Sequence, residues 1–398
     1  MDTHRCELER AYKLDVVHDH RSRLTGQGPY TRDRRIFAVR WDHARDATGT
    51  EDELRALVLD VASRHPGRPI LLLRGLVSML VHTDLQGVAA SLAGVVPNPL
   101  RVIEQRGTDD DWTEGWSAIH DAVHALVLRD DGDREPVVSG FAMARQEGDE
   151  AGNVAEVVRL LEAAGAVGAR WPLSGSPVGS LRVHPGAPRI RFPHGGPAPA
   201  DLAPDPVCTD LPYGYEATAR MVRAVGAVFG GADAAERLLE AGRASLRERL
   251  EPVVTRCLAG RAAVVIEEPY RAAGLVAALR ELSVEVPWAV LLRRRGVPCA
   301  VADSLAAGGV EVLRDPEYAE VRERLASDAS AGRADVVIGS GAFADAVADA
   351  GLPSVETGFP FYIEHFAASM PFMGLEGLPR LADRVANAIT RSSHRGSS

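Results

Sequence analysis

Lysine is almost absent from this 398-residue chain: Lys13 is the single one, against a large excess of arginine. No G-x-x-x-x-G-K-[ST] run exists, and Lys13 is not near a glycine loop, so the chain has no nucleotide-binding P-loop of its own. The scarcity, with abundant Ala, Gly and Val, reflects a GC-rich genome rather than a function. Cysteine is scarce too. The four residues at 6, 208, 257 and 299 have no C-x-x-C spacing and read as cytosolic thiols, not a disulfide framework. No apolar run approaches the length of a membrane span. The opening MDTHRCELERAYKLDVVHDH is polar and charged, unlike a secretory signal, so a cytoplasmic location is expected. The net charge of −10 argues against nonspecific nucleic-acid binding.

What remains is an ordinary globular composition, 46% hydrophobic and 25% charged, long enough for two or three domains. Short apolar runs alternate with helical spacing, the pattern of a parallel α/β sheet. Residues 51–65 have helical spacing, 70–73 read as a buried strand, 77–93 as a helix, Val102-Ile103 as a strand and 112–127 as an amphipathic helix. A second unit starts at Pro136, with a strand over 137–141, a helix over 153–164 and a strand over 166–171. Residues 184–214 read as loop with one short strand near Arg189 to Phe192. Helices follow over 219–229 and 234–249, the second with Asp233 as its expected N-cap. A third unit has a strand at 262–266, a helix at 271–282 and a strand at 288–292. The expected fold is α/β, with three successive Rossmann-like units closed by a C-terminal helix. The expected domains are 1–132, 133–258 and 259–398.

The densest pattern is DVVIGSGAFADAVADAGLPSVETGFPFYIEHFAASMPFMGLEGLPRLADRVANAI, residues 335–389. Val336 to Ile338 supply a strand and Gly339-Ser340-Gly341 a turn. Residues 343–350 have helical spacing. Pro353 restarts the chain as a strand that ends at Gly358-Phe359-Pro360, and Leu378 to Ile389 form a helical tail.

The series D-x-V-I-G, G-x-P, G-F-P and P-x-x-G-x-x-G-x-x-x-L resembles the last domain of the component 1 superfamily of nitrogenase-like reductases. This superfamily includes the nitrogenase MoFe subunits, dark-operative protochlorophyllide reductase and the Ni-sirohydrochlorin reductive cyclase. The middle block, with its acidic loop and RLLE-x-x-G, is similar as well, and the resemblance covers most of residues 50–393. It implies an oxidoreductase subunit that receives electrons from a separate ATP-hydrolysing iron–sulfur protein. Such a subunit works beside a second component 1-like subunit to reduce an unsaturated small molecule or a tetrapyrrole-like ring.

The same resemblance implies an iron–sulfur cluster held by thiolates of the N-terminal domain. Here the chain departs from the family. Cys6 matches the first ligand, but GQGPYTRDRR stands where a G-C turn is expected. Arg74-Gly75 replaces the threonine–cysteine pair, while Asp84 keeps the acidic position that follows. A [4Fe-4S] cluster would therefore be shared, with Cys6 as this chain's ligand and a partner supplying the rest; the chain alone binds none. His365, in FYIEHFAASMPFMG, falls within about one residue of the family's cofactor histidine by our count. It is the candidate catalytic residue, with Phe361, Tyr362 and Glu364 beside it. His194, before Gly195-Gly196, is a further pocket candidate, since ligands in open α/β sheets gather at the carboxyl ends of strands.

Other residues read more simply. His18 and His20 flank Asp19 in a charge-rich stretch and read as surface. His120 and His124 have metal-compatible i, i+4 spacing on an ordinary helix and read as helix packing. Glu267-Glu268 follows a strand and either does acid–base work or caps the next helix. Two alternatives stay open: a non-catalytic scaffold or structural subunit, suggested by the missing cysteines, and a GT-B-like nucleotide-sugar enzyme. In the latter, a similar glycine turn and helix N-terminus bind a diphosphate.

Overall fold

The computed structural model describes residues 37, 50–73, 82–103, 112–141, 149–171, 182–195, 205–293, 299–359, 361, 364 and 370–395. Two compact units divide the chain: residues 1–133 with 175–185, and residues 134–174 with 186–398.

In the first unit, α1 (Glu51–Arg64) opens on Glu51, Asp52 and Glu53 and carries Arg64 in its last turn. These charges complement the helix dipole at both ends. Strand β1 (Ile70–Leu73) leads to α2 (Leu85–Leu92) and then to β2 (Leu100–Ile103), which pairs parallel with β1. Val58, Leu72, Val88 and Leu92 form the small core between them. The helix expected over 77–93 is described as 85–92. Its N-cap is Asp84, whose side chain accepts the Gly87 N–H at 2.7 Å. Helix α3 (Trp112–Val127) and strand β3 (Leu128–Asp133) complete the described part.

The second unit holds two parallel sheets. The smaller has the order β4 (Val137–Ser139), β5 (Arg189–Arg191), β6 (Val207–Cys208), with α4 (Glu150–Ala163) as a crossover helix. The strand expected over 166–171 is instead a turn with one bridge, Arg170 to Val137. Gly165 and Gly168 have φ of +98° and +73°, in a left-handed region that no extended strand occupies.

Helices α5 (Gly214–Phe229) and α6 (Ala232–Val253) are longer than their sequence pattern, and residue 231, not Asp233, precedes the second. Asp233 lies inside its first turn, where a carboxylate still favours the positive helix end. A wider turn over Val254–Leu258 follows Pro252.

The larger sheet is built from β7 (Ala263–Glu267), α7 (Pro269–Glu281), β8 (Trp288–Leu291), α8 (Ala300–Ala307), β9 (Glu311–Arg314), α9 (Tyr318–Ser330), β10 (Val336–Gly339), α10 (Ala344–Asp349) and β11 (Ser354–Glu356). All pairings are parallel and the spatial order is β11-β10-β7-β8-β9. Strands β7, β8 and β10 are buried throughout, as a doubly covered parallel sheet requires. Gly339 is needed where it stands: its φ is +145°, and a Cβ there would lie 1.9 Å from the Ile266 carbonyl oxygen. Helix α11 (Gly374–Arg395) packs against α4, α5, α6 and β11, burying Leu375, Leu378, Leu381, Ala382 and Val385. One continuous core thereby serves both sheets of this unit.

Candidate functional site

The chain leaves β7 toward β8 and β9 on one side and later returns to β10 and β11 on the other. The point where the order reverses, at the carboxyl ends of β7 and β10, is where open parallel sheets form their ligand crevice. Three short polar turns meet at this edge.

The first is Glu267-Glu268 at the end of β7, both fully buried. Glu268 caps α7 by accepting the N–H groups of Tyr270 at 2.9 Å and Arg271 at 2.7 Å. Pro269 at the first helical position favours the same start. Glu267 accepts the Glu268 N–H at 2.9 Å and the Thr357 hydroxyl at 3.3 Å. The capping role is therefore met by Glu268, while Glu267 ties β7 to the end of β11.

The second turn is Ser340-Gly341 after β10. Ser340 accepts the Ala342 N–H at 3.2 Å, and its own N–H reaches the Ile266 carbonyl at 2.8 Å. The third is Glu356-Thr357-Gly358 after β11. Glu356 is buried and accepts the Glu364 N–H at 2.6 Å. The Glu364 carboxylate pairs with Arg384 of α11. Burial depresses the Arg384 pKa, the Arg391 charge adds to this, and Glu356 opposes both. Gly358 has φ +65°, and a Cβ there would lie 1.9 Å from Glu267 Oε2.

The middle block contributes His194, in a single tight turn just beyond β5. Its Nε2 lies 3.0 Å from Glu268 Oε1, with both side chains fully buried. The Tyr270 ring meets the imidazole edge-on at 5.3 Å. Burial would raise the Glu268 pKa, but the charge and hydrogen bond of His194, with Arg271 3.9 Å away, hold this carboxyl below its ordinary range.

Of the residues expected at a pocket, His194, Phe361 and Glu364 are described; Phe361 is fully buried and Glu364 is fixed between Glu356 and Arg384. Tyr362, His365 and Cys6 lie outside the described residues, as do His18 and His20. His120 is buried in a stack, with ring centres 5.1 Å from Trp116 and 6.1 Å from His124, and Asp121 Oδ1 lies 3.2 Å from its Nδ1. The pattern reading missed Glu356, Thr357 and Arg384. A polar pair between a short strand and a glycine, in SVETG, was the available signal for the first two.

An iron–sulfur cluster requires convergent thiolates. Among the described residues, Cys208 is exposed, Cys257 partly buried and Cys299 buried. No group of three or more His, Cys, Asp or Glu among them could hold a metal ion. The described residues therefore do not fit a cluster by themselves.

Parallel sheets in succession, with buried polar turns meeting at the switch point, define an α/β protein of Rossmann-like build. The chain belongs to the nitrogenase component 1 type oxidoreductases, whose family model matches residues 42–390. Two solved structures share the fold. One is nitrogenase Cp1 at pH 6.5, with TM-score 0.71 and 16% identity, covering 89% of this chain and 82% of that one. The other is nitrogenase Cp1 at pH 5, with TM-score 0.67 and 13% identity, covering 90% and 78%. No curated protein sequence matches. Members of this family generally bind iron–sulfur clusters and work with a partner subunit and a reductase component. Among the described residues no helix is long and apolar enough to cross a membrane.

Proposed function

We propose that this chain is one subunit of a cytoplasmic, nitrogenase-like two-component oxidoreductase. It works beside a second component 1-like subunit and takes electrons from an ATP-dependent iron–sulfur reductase. The substrate is an unsaturated small molecule or a tetrapyrrole-like ring. The observation that carries this reading is the anchoring of Glu364 to the carboxyl edge of the large sheet through Glu356 and Arg384. That anchor belongs to the FYIEH segment, which bears the family's site pattern.

In this reading His365 donates the proton that accompanies reduction, Phe361 and Tyr362 supply apolar wall, and Glu364, held by Glu356 and Arg384, belongs to the same pocket. His194 is a positioning residue: locked to Glu268, it holds the end of β5 against the start of α7. The functional divisions are 1–132, 133–258 and 259–398, the first facing the cluster. The described residues do not fit a cluster by themselves. A [4Fe-4S] group would take Cys6 from this chain and its remaining ligands from the partner.

The test is anaerobic coexpression with the genomic neighbours, followed by iron and acid-labile sulfide analysis and EPR of the purified complex. About four irons per complex, lost on Cys6→Ala, is the expected result. In the same complex His365→Ala should abolish reductant-dependent turnover while leaving the iron content unchanged. A stable complex without iron would overturn electron transfer through this subunit.

That outcome would favour a second reading, a non-catalytic scaffold or structural half of the complex. Its support is the mutual saturation of His194 and Glu268 in full burial, together with the lack of a metal-holding group among the described residues. Membership of the component 1 family leaves the nucleotide-sugar reading without support, and the Ser340 side chain already serves the Ala342 N–H of its own turn.

A further inference from the structure

Strand β5 lies in the middle of its sheet, hydrogen-bonded on both sides, where a parallel strand is ordinarily apolar on both faces. Here the sequence is Arg-Ile-Arg, and all three residues are buried. Side chains alternate along a strand. Ile190, with Val138 of the neighbouring strand, joins the core cluster. Arg189 and Arg191 therefore project from the opposite face, beside their register partners Val137 and Ser139.

Arg189 is among the most completely buried large side chains of the protein. Among the described residues its Nε, Nη1 and Nη2 find no hydrogen-bond partner. A guanidinium keeps its charge at neutral pH and offers five N–H donors in a planar fork. Burial depresses the Arg189 pKa, and the charge of Arg191 depresses it further, which places the two cations within electrostatic reach of each other. Among the described residues no carboxylate offsets either effect. Arg271, also fully buried in this unit, lies by contrast 3.9 Å from the Glu268 carboxylate.

A buried, charged group with all its donors unfilled, next to a second cation, is complementary to an oxyanion. We propose that Arg189 and Arg191 form an oxyanion-binding site on this face of the smaller sheet, taking the carboxylate or phosphate of a small molecule. Arg189 supplies the bidentate fork and Arg191 the second positive charge. The site spans β5 from its first residue, Arg189, to its last, Arg191, which stands three residues before His194. It deepens the proposed oxidoreductase reading, on which its link to the substrate rests, by requiring that the bound molecule carry an anionic group.

The test is isothermal titration of the purified chain, or of its complex if it copurifies with a partner. Inorganic phosphate and citrate are titrated separately, each against sodium chloride at matched ionic strength. Saturable binding of either is expected, weakened about tenfold or more by Arg189→Met, as for loss of a charged hydrogen-bonding group. If the Met variant fails to fold, Arg189→Lys decides. It keeps one charge but loses the fork, and should weaken binding while leaving it measurable. Preference for phosphate or for citrate identifies which anion the site takes. No saturable binding in the wild type, or binding unchanged by substitution of Arg189, overturns the site. Neither iron nor reductant enters the titration, so its failure is distinct from failure of the electron-transfer reading.

Discussion

His194 Nε2 and Glu268 Oε1 stand 3.0 Å apart in full burial, joining the end of one sheet's central strand to the first turn of the helix that leaves the next sheet's first strand. Glu268 also accepts two N–H groups of α7, so one carboxylate serves a helix cap and a bridge between sheets.

Glu268→Gln should therefore be costly. It removes the charge that faces His194 and Arg271 and weakens the cap. Breaking a buried charged pair from one side typically costs about 3–5 kcal/mol. The sign with pH follows from a folded pKa below the unfolded one. This contribution is complete above the unfolded pKa and fades as pH falls through the folded value. Urea melts from pH 7 down to pH 3 should show a shallower acid loss in the variant than in the wild type. Parallel curves would refute the coupling.

Gly358→Ala tests the junction of β11 with β7. The φ of +65° disfavours any side chain, and the new Cβ would collide with the Glu267 carboxylate. We expect a loss of about 2 kcal/mol or more, with Glu267 displaced from Thr357. Thermal melts together with a crystal structure of the variant would check both parts.

Asn153 of α4 caps the approach to α11. Its Oδ1 accepts the N–H groups of Phe372 at 2.7 Å and Met373 at 3.0 Å, all in full burial. Asn153→Leu keeps volume but leaves two buried donors unfilled, at about 1–3 kcal/mol each. Hydrogen exchange should show the amides of residues 372 and 373 losing protection before those of β7. Equal protection in both proteins would count against this capping role.

Asp328 of α9 accepts the Trp288 indole N–H at 2.7 Å and the Arg333 Nε–H at 2.8 Å. Burial raises its pKa, but these bonds, with Arg324 and Arg333 beside it, leave it below the ordinary carboxylate range. Stability from Asp328 is again present at neutral pH and lost on acidification. Asp328→Asn should lower the neutral-pH melting temperature and leave melting near pH 3 little changed. Tryptophan emission of the folded variant would report altered surroundings of Trp288.

The parts of this architecture that could be read in advance are those with a dense local code. Strands β10 and β11 announce themselves by Val336-Val337-Ile338 and by the proline before Ser354, and α11 by its regular apolar spacing. The stretch from 300 to 330 carried no such code. Strand β9 is a half-exposed edge, and α9, YAEVRERLASDAS, shows a polar surface with few buried positions. The turn at 164–168 imitated a strand in its residue types, and only the φ of Gly165 and Gly168 excludes one. At the site, the position of His194 near the sheet edge followed from the general rule for parallel sheets. Its partner did not, since Glu268 lies 74 residues away and contact across that separation has no local signature. The buried charge of Arg189 was equally invisible, because arginine in a short strand ordinarily points to solvent.

Helix α11 has a consequence for the order of assembly. Leu375, Leu378, Leu381 and Val385 complete a core whose other walls come from α4, α5 and α6. A nascent chain emerging from the ribosome therefore displays an open apolar trough along these three helices until residues 374–389 follow. Closure of the second unit's core therefore waits on docking of that helix, whatever the order in which its other walls form.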